Sequence, residues 1–226
     1  MTLAHEPVHC TAAQARLLHA FAAIKRGSQP FTLTLPDGAG QLVPVTERHD
    51  GDAALLAEFS RWRDENAFAF PTQFAVTLDG TSRWLRKGLL DVPDRLLFLV
   101  QAADETFVGH LGFANCSEVA GVLEIDNVVR GVKHGAPGIM AAAMQRLTDW
   151  AQRDFSPREV FLRVFADNTH AVRFYERCGY VFDTLLPLRR SEDAGRITFA
   201  TPAAADTRPA DAHFARMILQ PRHLGA

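Results

Sequence analysis

Asn168-Thr-His-Ala-Val-Arg-Phe-Tyr-Glu-Arg-Cys-Gly-Tyr180 is the stretch whose reading decides the fold. Just before it, residues 160–164 read Val-Phe-Leu-Arg-Val, a largely β-branched and apolar run of strand length. Asp167 and Asn168 then offer short polar side chains that can accept from the first unpaired N–H groups of a helix. Ala171, Phe174 and Tyr175 follow at helical spacing, so a short helix turns one face inward. Gly179 stops it, because a residue without Cβ tolerates the left-handed turn that ends many helices. Tyr180 opens a new strand.

The string N-x-x-A-x-x-F-Y-x-x-x-G-Y that these residues spell resembles the second signature segment of the GNAT N-acetyltransferase superfamily. Asn168, Ala171, Tyr175, Gly179 and Tyr180 occupy its fixed positions. The plainer reading of the same residues is an amphipathic helix whose Phe174 and Tyr175 are core. Flanking strands at the places the family needs favour the resemblance.

Upstream, residues 122–129 read Val-Leu-Glu-Ile-Asp-Asn-Val-Val. Strand alternation puts Leu123, Ile125 and Asn127 on one face, and Glu124, Asp126 and Val128 on the other. Two carboxylates on an apolar strand are costly to bury unless they are partnered or used. They are therefore candidates for proton transfer, or else for ion pairs with Arg130, Arg163 or a lysine. Next comes Arg130-Gly-Val-Lys-His-Gly-Ala-Pro-Gly-Ile-Met140, running into a helix over 141–153. A glycine-rich loop at a helix start presents free N–H groups and the positive end of the helix dipole, which suits a pyrophosphate. Pro137 is tolerated near a helix start, where its missing donor would be unpaired. The family's own pattern there is Arg or Gln, two residues, Gly, one residue, then Gly or Ala. With its central glycine on Gly138, Gly135 takes the first position and Met140 the last, so Lys133 or Arg130 would supply the charge.

The remaining order follows the same resemblance. A helix over 11–25 carries Leu17, Leu18, Phe21 and Ile24 on one side, and strands at 31–35 and 41–46 flank the Pro36-Asp37-Gly38 turn. Helices at about 51–64 and 81–90 precede strands at 95–102 and 106–115. The first of these helices turns Leu55, Leu56, Phe59 and Trp62 inward. Between them lies a loop rich in aromatics for its kind, Asn66-Ala-Phe-Ala-Phe-Pro-Thr-Gln-Phe74. Strands at 181–188, 196–201 and 213–219 close the chain, and residues 189–211 are long enough for an extra strand or a loop. The expectation is an α/β (α+β) GNAT fold, a mixed, mostly antiparallel central sheet flanked by helices. Residues 41–226 would form the acyltransferase domain. Residues 1–40 would be an N-terminal helix–strand extension that packs on it, forms a dimer contact or reaches the substrate pocket.

Composition sets the boundaries. The 226 residues carry a net charge of −2 with both signs interspersed, which gives no nucleic-acid footprint and no polybasic membrane face. Cys10, Cys116 and Cys178 are odd in number and lack metal spacing, so reduced thiols in a cytoplasmic protein are expected, with no metal. No leader pattern or bilayer-length apolar run is present. Nine histidines, His110, His134 and His170 among them, form no ligand or nucleophile spacing. No G-x-S-x-G elbow points to a serine hydrolase.

The resemblance implies acyl transfer from a CoA thioester, acetyl-CoA by preference, to a primary amine. The amine must lose a proton to attack, since an alkylammonium has a pKa of about 10. Glu124 first and Asp126 second would take that proton. Tyr175 is the family-matched acid for the leaving thiolate. A backbone N–H of Asn127, Val128 or Val129, splayed by a bulge, would stabilise the oxyanion. Asn168 would hold the pantetheine arm. Lys133, Gly135, Ala136, Gly138, Ile139 and Met140 would receive the pyrophosphate, and Phe68, Phe70 and Phe74 would line the acceptor pocket. The implied acceptor is a small-molecule amine such as an amino sugar or aminoglycoside-like compound. Two alternatives stay open. One is a protein N-terminal acetyltransferase, faintly suggested by Thr77, Thr81 and Trp84; the other is a non-catalytic acyl-CoA sensor, suggested by the irregular glycine loop.

Overall fold

The computed structural model describes residues 12–220; Cys10 and the first residue of the helix expected over 11–25 lie outside them. The first helix is α1 (Ala12–Arg26), followed by the antiparallel pair β1 (Leu33–Thr34) and β2 (Gly40–Pro44). β1 is shorter than the predicted run because Leu35 already caps the tight turn at Pro36–Gly38. α2 (Ala53–Glu65) starts at Asp52, whose Oδ1 accepts from the Ala54 and Leu55 N–H groups at 3.0 and 3.1 Å. Leu55, Leu56, Phe59 and Trp62 are its buried face, as their spacing predicts. The aromatic loop is not all loop, since it contains the short strand β3 (Thr72–Gln73). α3 (Leu78–Arg83), running on as π-helical turns over Trp84–Leu90, begins earlier than predicted because Thr77 caps it, accepting from Gly80 N–H at 3.0 Å.

β4 (Leu96–Ala102), β5 (Phe107–Ala114) and β6 (Val122–Arg130) form an antiparallel meander. α4 (Ile139–Phe155) then crosses to β7 (Glu159–Phe165), which lies parallel to β6. α5 (Thr169–Arg177) leads into β8 (Tyr180–Asp193), β9 (Arg196–Ala200) and β10 (Ala212–Leu219). β9 falls on the strand expected at 196–201, and the rest of residues 189–211, left open between an extra strand and a loop, extends β8 and then forms a loop. The sheet order is β1-β2-β4-β5-β6-β7-β10-β8-β9-β3, and β6–β7 is its one parallel pairing among the described residues.

Apolar layers fill both sides of the sheet. α1 and α4 cover one, with Phe21, Phe98, Leu111, Leu147 and Trp150 buried together. α2 and α3 cover the other, where Phe59, Trp62, Leu85, Leu99 and Val129 meet. Phe21 is wholly buried and stacks on Phe113 at 5.9 Å, a burial that contributes roughly 2–3 kcal/mol. Lys25, also buried, donates to the Val92 and Leu89 carbonyls at 2.5 and 3.3 Å. The N-terminal helix is thus part of the same core that carries the site.

Candidate active site

β6 and β7 pair from Val122/Glu159 to Ile125/Leu162 and then part. The cause is visible on the other side of β6. His110 of β5 stands opposite Val129 and Gly112 opposite Asp126, so Asn127 and Val128 together face the single residue Leu111. Asn127 adopts φ 53°, a left-handed conformation that asparagine tolerates better than most residues. This is a β-bulge, and a bulge bends its strand and disrupts the ladder. It also corrects the alternation read from sequence. Val128 joins Leu123 and Ile125 against the α4 layer, whereas Val129 packs into the opposite layer beside Trp62.

His110 holds the bulge. Its Nδ1–H donates to the Asn127 carbonyl at 2.7 Å, and its ring lies 5.4 Å from Phe59 and 5.8 Å from Trp62. Burial, helped by the charge of Arg63, pushes its pKa down to about 4, so the imidazole is neutral at neutral pH. Sequence reasoning gave this histidine no role. The one signal was its position between Gly109 and Gly112 in an otherwise apolar strand.

The parted strands open a cleft of about 1070 Å³. Asn127, Val128 and Val129 line it, as do Glu124, Asp126 and Tyr175. Glu124 is buried and fully engaged: Arg163 donates from Nε at 2.7 Å and from Nη2 at 3.0 Å, and Asn115 Nδ2 donates at 2.7 Å. Burial raises its pKa, and the Arg163 pair opposes that rise. Asp126 is more open. It accepts from Asn127 Nδ2 at 2.7 Å and meets Arg95 only at 3.8 Å. Tyr175 is 8% exposed, and burial, with the nearby Asp126 charge, raises its phenol above the usual range, so it stays protonated.

One end of the cleft is the start of α4. Gly138 (φ 80°), Met140 and Lys133 line it there, together with Asn168 from the start of α5. Asn168 Oδ1 accepts from Ala171 N–H at 3.2 Å, leaving its Nδ2 donor for a ligand. Gly135, Ala136 and Ile139 are not in this cleft. They line a separate cavity of about 610 Å³ against the 36–39 turn, where Lys133 borders both spaces. Ile139 is buried in the core, and its N–H already donates to the Ala136 carbonyl at 3.1 Å.

The other end is roofed by the aromatic segment. Arg63 Nη2 donates to the Thr72 carbonyl at 2.5 Å, and its guanidinium lies 3.5 Å over the Phe70 ring. Burial lowers the Arg63 pKa to about 10, which leaves it charged at neutral pH. Phe199 N–H donates to the Pro71 carbonyl at 2.7 Å, and β3 pairs with β9. The segment is therefore a strap that leaves α2 and is tied down at residues 71–73 by Arg63 and β9. Phe68 and Phe70 line the space beneath it. Phe74 does not; it sits between the guanidinium groups of Arg63 and Arg196, at 5.4 and 5.1 Å.

The family profile described as Acetyltransferase (GNAT) family matches residues 58–180. The chain belongs to the GNAT acetyltransferase family, and is an acyl-CoA-dependent N-acetyltransferase. Among solved structures, it resembles a probable acetyltransferase of the GNAT family from Chromobacterium violaceum ATCC 12472, with 22% identity over 86% of this chain and 89% of that one, TM-score 0.59. It also resembles the spermidine N-acetyltransferase of Vibrio cholerae in complex with CoA and spermine, with 14% identity over 79% of this chain and 93% of that one, TM-score 0.57. A dodecameric form of the Vibrio cholerae enzyme matches at 16% identity over 74% and 88%, TM-score 0.51. No curated protein sequence matches the chain significantly. Among the described residues, no His/Cys/Asp/Glu group fit to hold a metal is present, and no helix is long and apolar enough to cross a membrane.

Proposed function

We propose that this enzyme transfers an acetyl group from acetyl-CoA to the primary amine of a small molecule, with Asp126 and Tyr175 as its acid–base pair. The observation that carries the acceptor reading is the strap. Residues 66–73 are fixed to α2 through Arg63 and to β9 through Pro71 and β3, so the acceptor end is roofed. A roofed site takes a slender molecule in preference to a folded protein surface. Amino sugars and aminoglycoside-like compounds, and the polyamines that the Vibrio cholerae enzyme binds, are the natural first acceptors to assay.

The cleft fits the co-substrate in two respects. It is open between parted strands, and its far end is the donor-rich start of α4 at Gly138 and Met140. In the proposed reaction Asp126, directly or through one water, accepts a proton from the ammonium and passes it to solvent. The amine nitrogen bonds to the thioester carbonyl carbon, main-chain donors at the Asn127 bulge stabilise the oxyanion, and the C–S bond breaks. Tyr175 gives its proton to the thiolate, and the second proton lost by nitrogen restores the tyrosine. The products are amide and free thiol. Glu124, the first choice from sequence, becomes a positioning residue here because Arg163 and Asn115 hold both its oxygens.

Release of free thiol from acetyl-CoA, followed across amines with wild type and Tyr175→Phe, tests the reading. The variant should lose about a hundredfold in kcat with the KM for acetyl-CoA unchanged. Equal loss of acetyl-CoA binding would make Tyr175 structural and defeat the assignment.

A further inference from the structure

Three carboxylates line the cleft, Glu65, Glu124 and Asp126. Two of them already have cationic partners. Glu124 is held bidentately by Arg163, and Glu65 is 3.3 Å from Arg61. Asp126 is the most loosely paired of the three, with Arg95 at 3.8 Å and no hydrogen bond from a cation. The acceptor end therefore offers one anionic partner, and Arg163 itself lines the same space.

Beside Asn66 and Thr201, the rest of that end is mostly apolar. Phe68 and Phe70 come from the strap, Leu188 and Phe199 from the β8–β9 hairpin, and Phe214 from β10. Phe199 and Phe214 are braced from behind by the buried Phe165, at 5.2 and 4.9 Å, so their rings form a fixed wall. Charge and shape point the same way. A second ammonium on the acceptor would meet Phe rings and an arginine and would lose its hydration without a carboxylate in exchange. A polyhydroxylated body would bury most of its hydroxyls against Phe rings and Leu188, with only Asn66 and Thr201 to pair with. An alkyl or aryl body gains from the same wall.

We infer that the acceptor is a primary monoamine with an apolar body, its single ammonium at Asp126 and its alkyl or aryl part against Phe199 and Phe214. This rests on the transferase reading above and narrows it. It sets the enzyme apart from a polyamine acetyltransferase on the same fold, because the buried carboxylate of its acceptor end, Glu124, is already taken by Arg163.

The test is a comparison of kcat/KM by thiol release for phenethylamine and hexylamine against spermidine and glucosamine, with acetyl-CoA binding followed separately by thermal shift. The monoamines should be preferred by about tenfold or more. Phe199→Ala should raise the KM of phenethylamine about tenfold while leaving that of acetyl-CoA unchanged. Preference for spermidine or glucosamine overturns the inference but leaves the transferase intact, as does a Phe199→Ala variant with unaltered monoamine KM. Absence of thiol release with every amine, together with no stabilisation by acetyl-CoA, overturns the transferase reading and the inference with it.

Discussion

His110 donates its Nδ1–H to the main-chain carbonyl of Asn127, 2.7 Å away, across the one point where β5 and β6 fall out of register. The bond satisfies a carbonyl that the bulge has removed from the ladder, and it does so inside a packed aromatic layer. A phenyl ring in place of the imidazole would fill the volume and leave that carbonyl unpaired. His110→Phe should therefore lower kcat about tenfold or more while staying folded, since an unsatisfied buried acceptor costs about 1–3 kcal/mol. His110→Asn, which restores a donor, should recover part of the loss. If His110→Phe retains full kcat, the bulge does not depend on this bond.

The same histidine links pH to stability. Its folded pKa of about 4 lies below the 6.5 of the unfolded chain, so the unfolded state binds the extra proton between these values. Stability from keeping the ring neutral is complete above pH 6.5 and is lost as pH falls toward 4. The span corresponds to about 3 kcal/mol, taking about 1.4 kcal/mol per pH unit. Urea unfolding of wild type and His110→Asn at pH 7 and pH 4.5 should show the smaller decline in the variant. Equal declines would show that another group governs the acid limb.

Much of this was legible in the chain itself. Asn168, Gly179 and the apolar spacing between them mark a helix whose ends are set by local chemistry, and local chemistry is what a sequence states directly. Leu55, Leu56, Phe59 and Trp62 are buried for the same reason. Partnership across the sheet was not legible. Glu124 and Asp126 look alike from sequence, yet Glu124 meets Arg163, thirty-nine positions away, while Asp126 stays open in the cleft. Alternation misplaces Val128 because it assumes a regular strand, and the bulge that reverses it depends on pairing with β5. The loop over 66–74 is tied to β9, a contact between segments over a hundred residues apart.

The two acids should separate experimentally. Glu124→Gln leaves Arg163 without its charged partner in a half-buried setting, which is expected to destabilise the fold by about 3 kcal/mol. The pH dependence of kcat/KM should keep its shape. Asp126→Asn should do the reverse, with little change in unfolding midpoint and a loss of about a hundredfold in rate. Urea titration and a pH–rate series on both variants decide the matter, and a shifted acidic limb in Glu124→Gln would return the base role to Glu124.

Arg63 fastens the strap, so weakening it should show in acceptor binding alone. Arg63→Ala removes the donor to the Thr72 carbonyl and the cation over Phe70. Loosening the roof should raise the amine KM about tenfold, a change of about 1.4 kcal/mol, and leave the acetyl-CoA KM alone. Parallel increases in both would show that the arginine supports the whole cleft.

Gly131 also lines the cleft. A Cβ there would fall 2.1 Å from the Trp62 indole, far inside contact distance. The tryptophan cannot retreat, because it is wholly buried and wedged against Phe59 and His110. The backbone of residues 131 and 132 would have to move instead, although both N–H groups donate to the Val108 carbonyl. Those residues lead directly into Lys133 and Gly138 at the start of α4, the proposed pyrophosphate end. Gly131→Ala should therefore raise the KM for acetyl-CoA several-fold and lower stability by about 1–3 kcal/mol. The amine KM should be little changed. Comparing both KM values with the urea midpoint checks this, and an unchanged acetyl-CoA KM in a destabilised variant would uncouple the loop from Trp62.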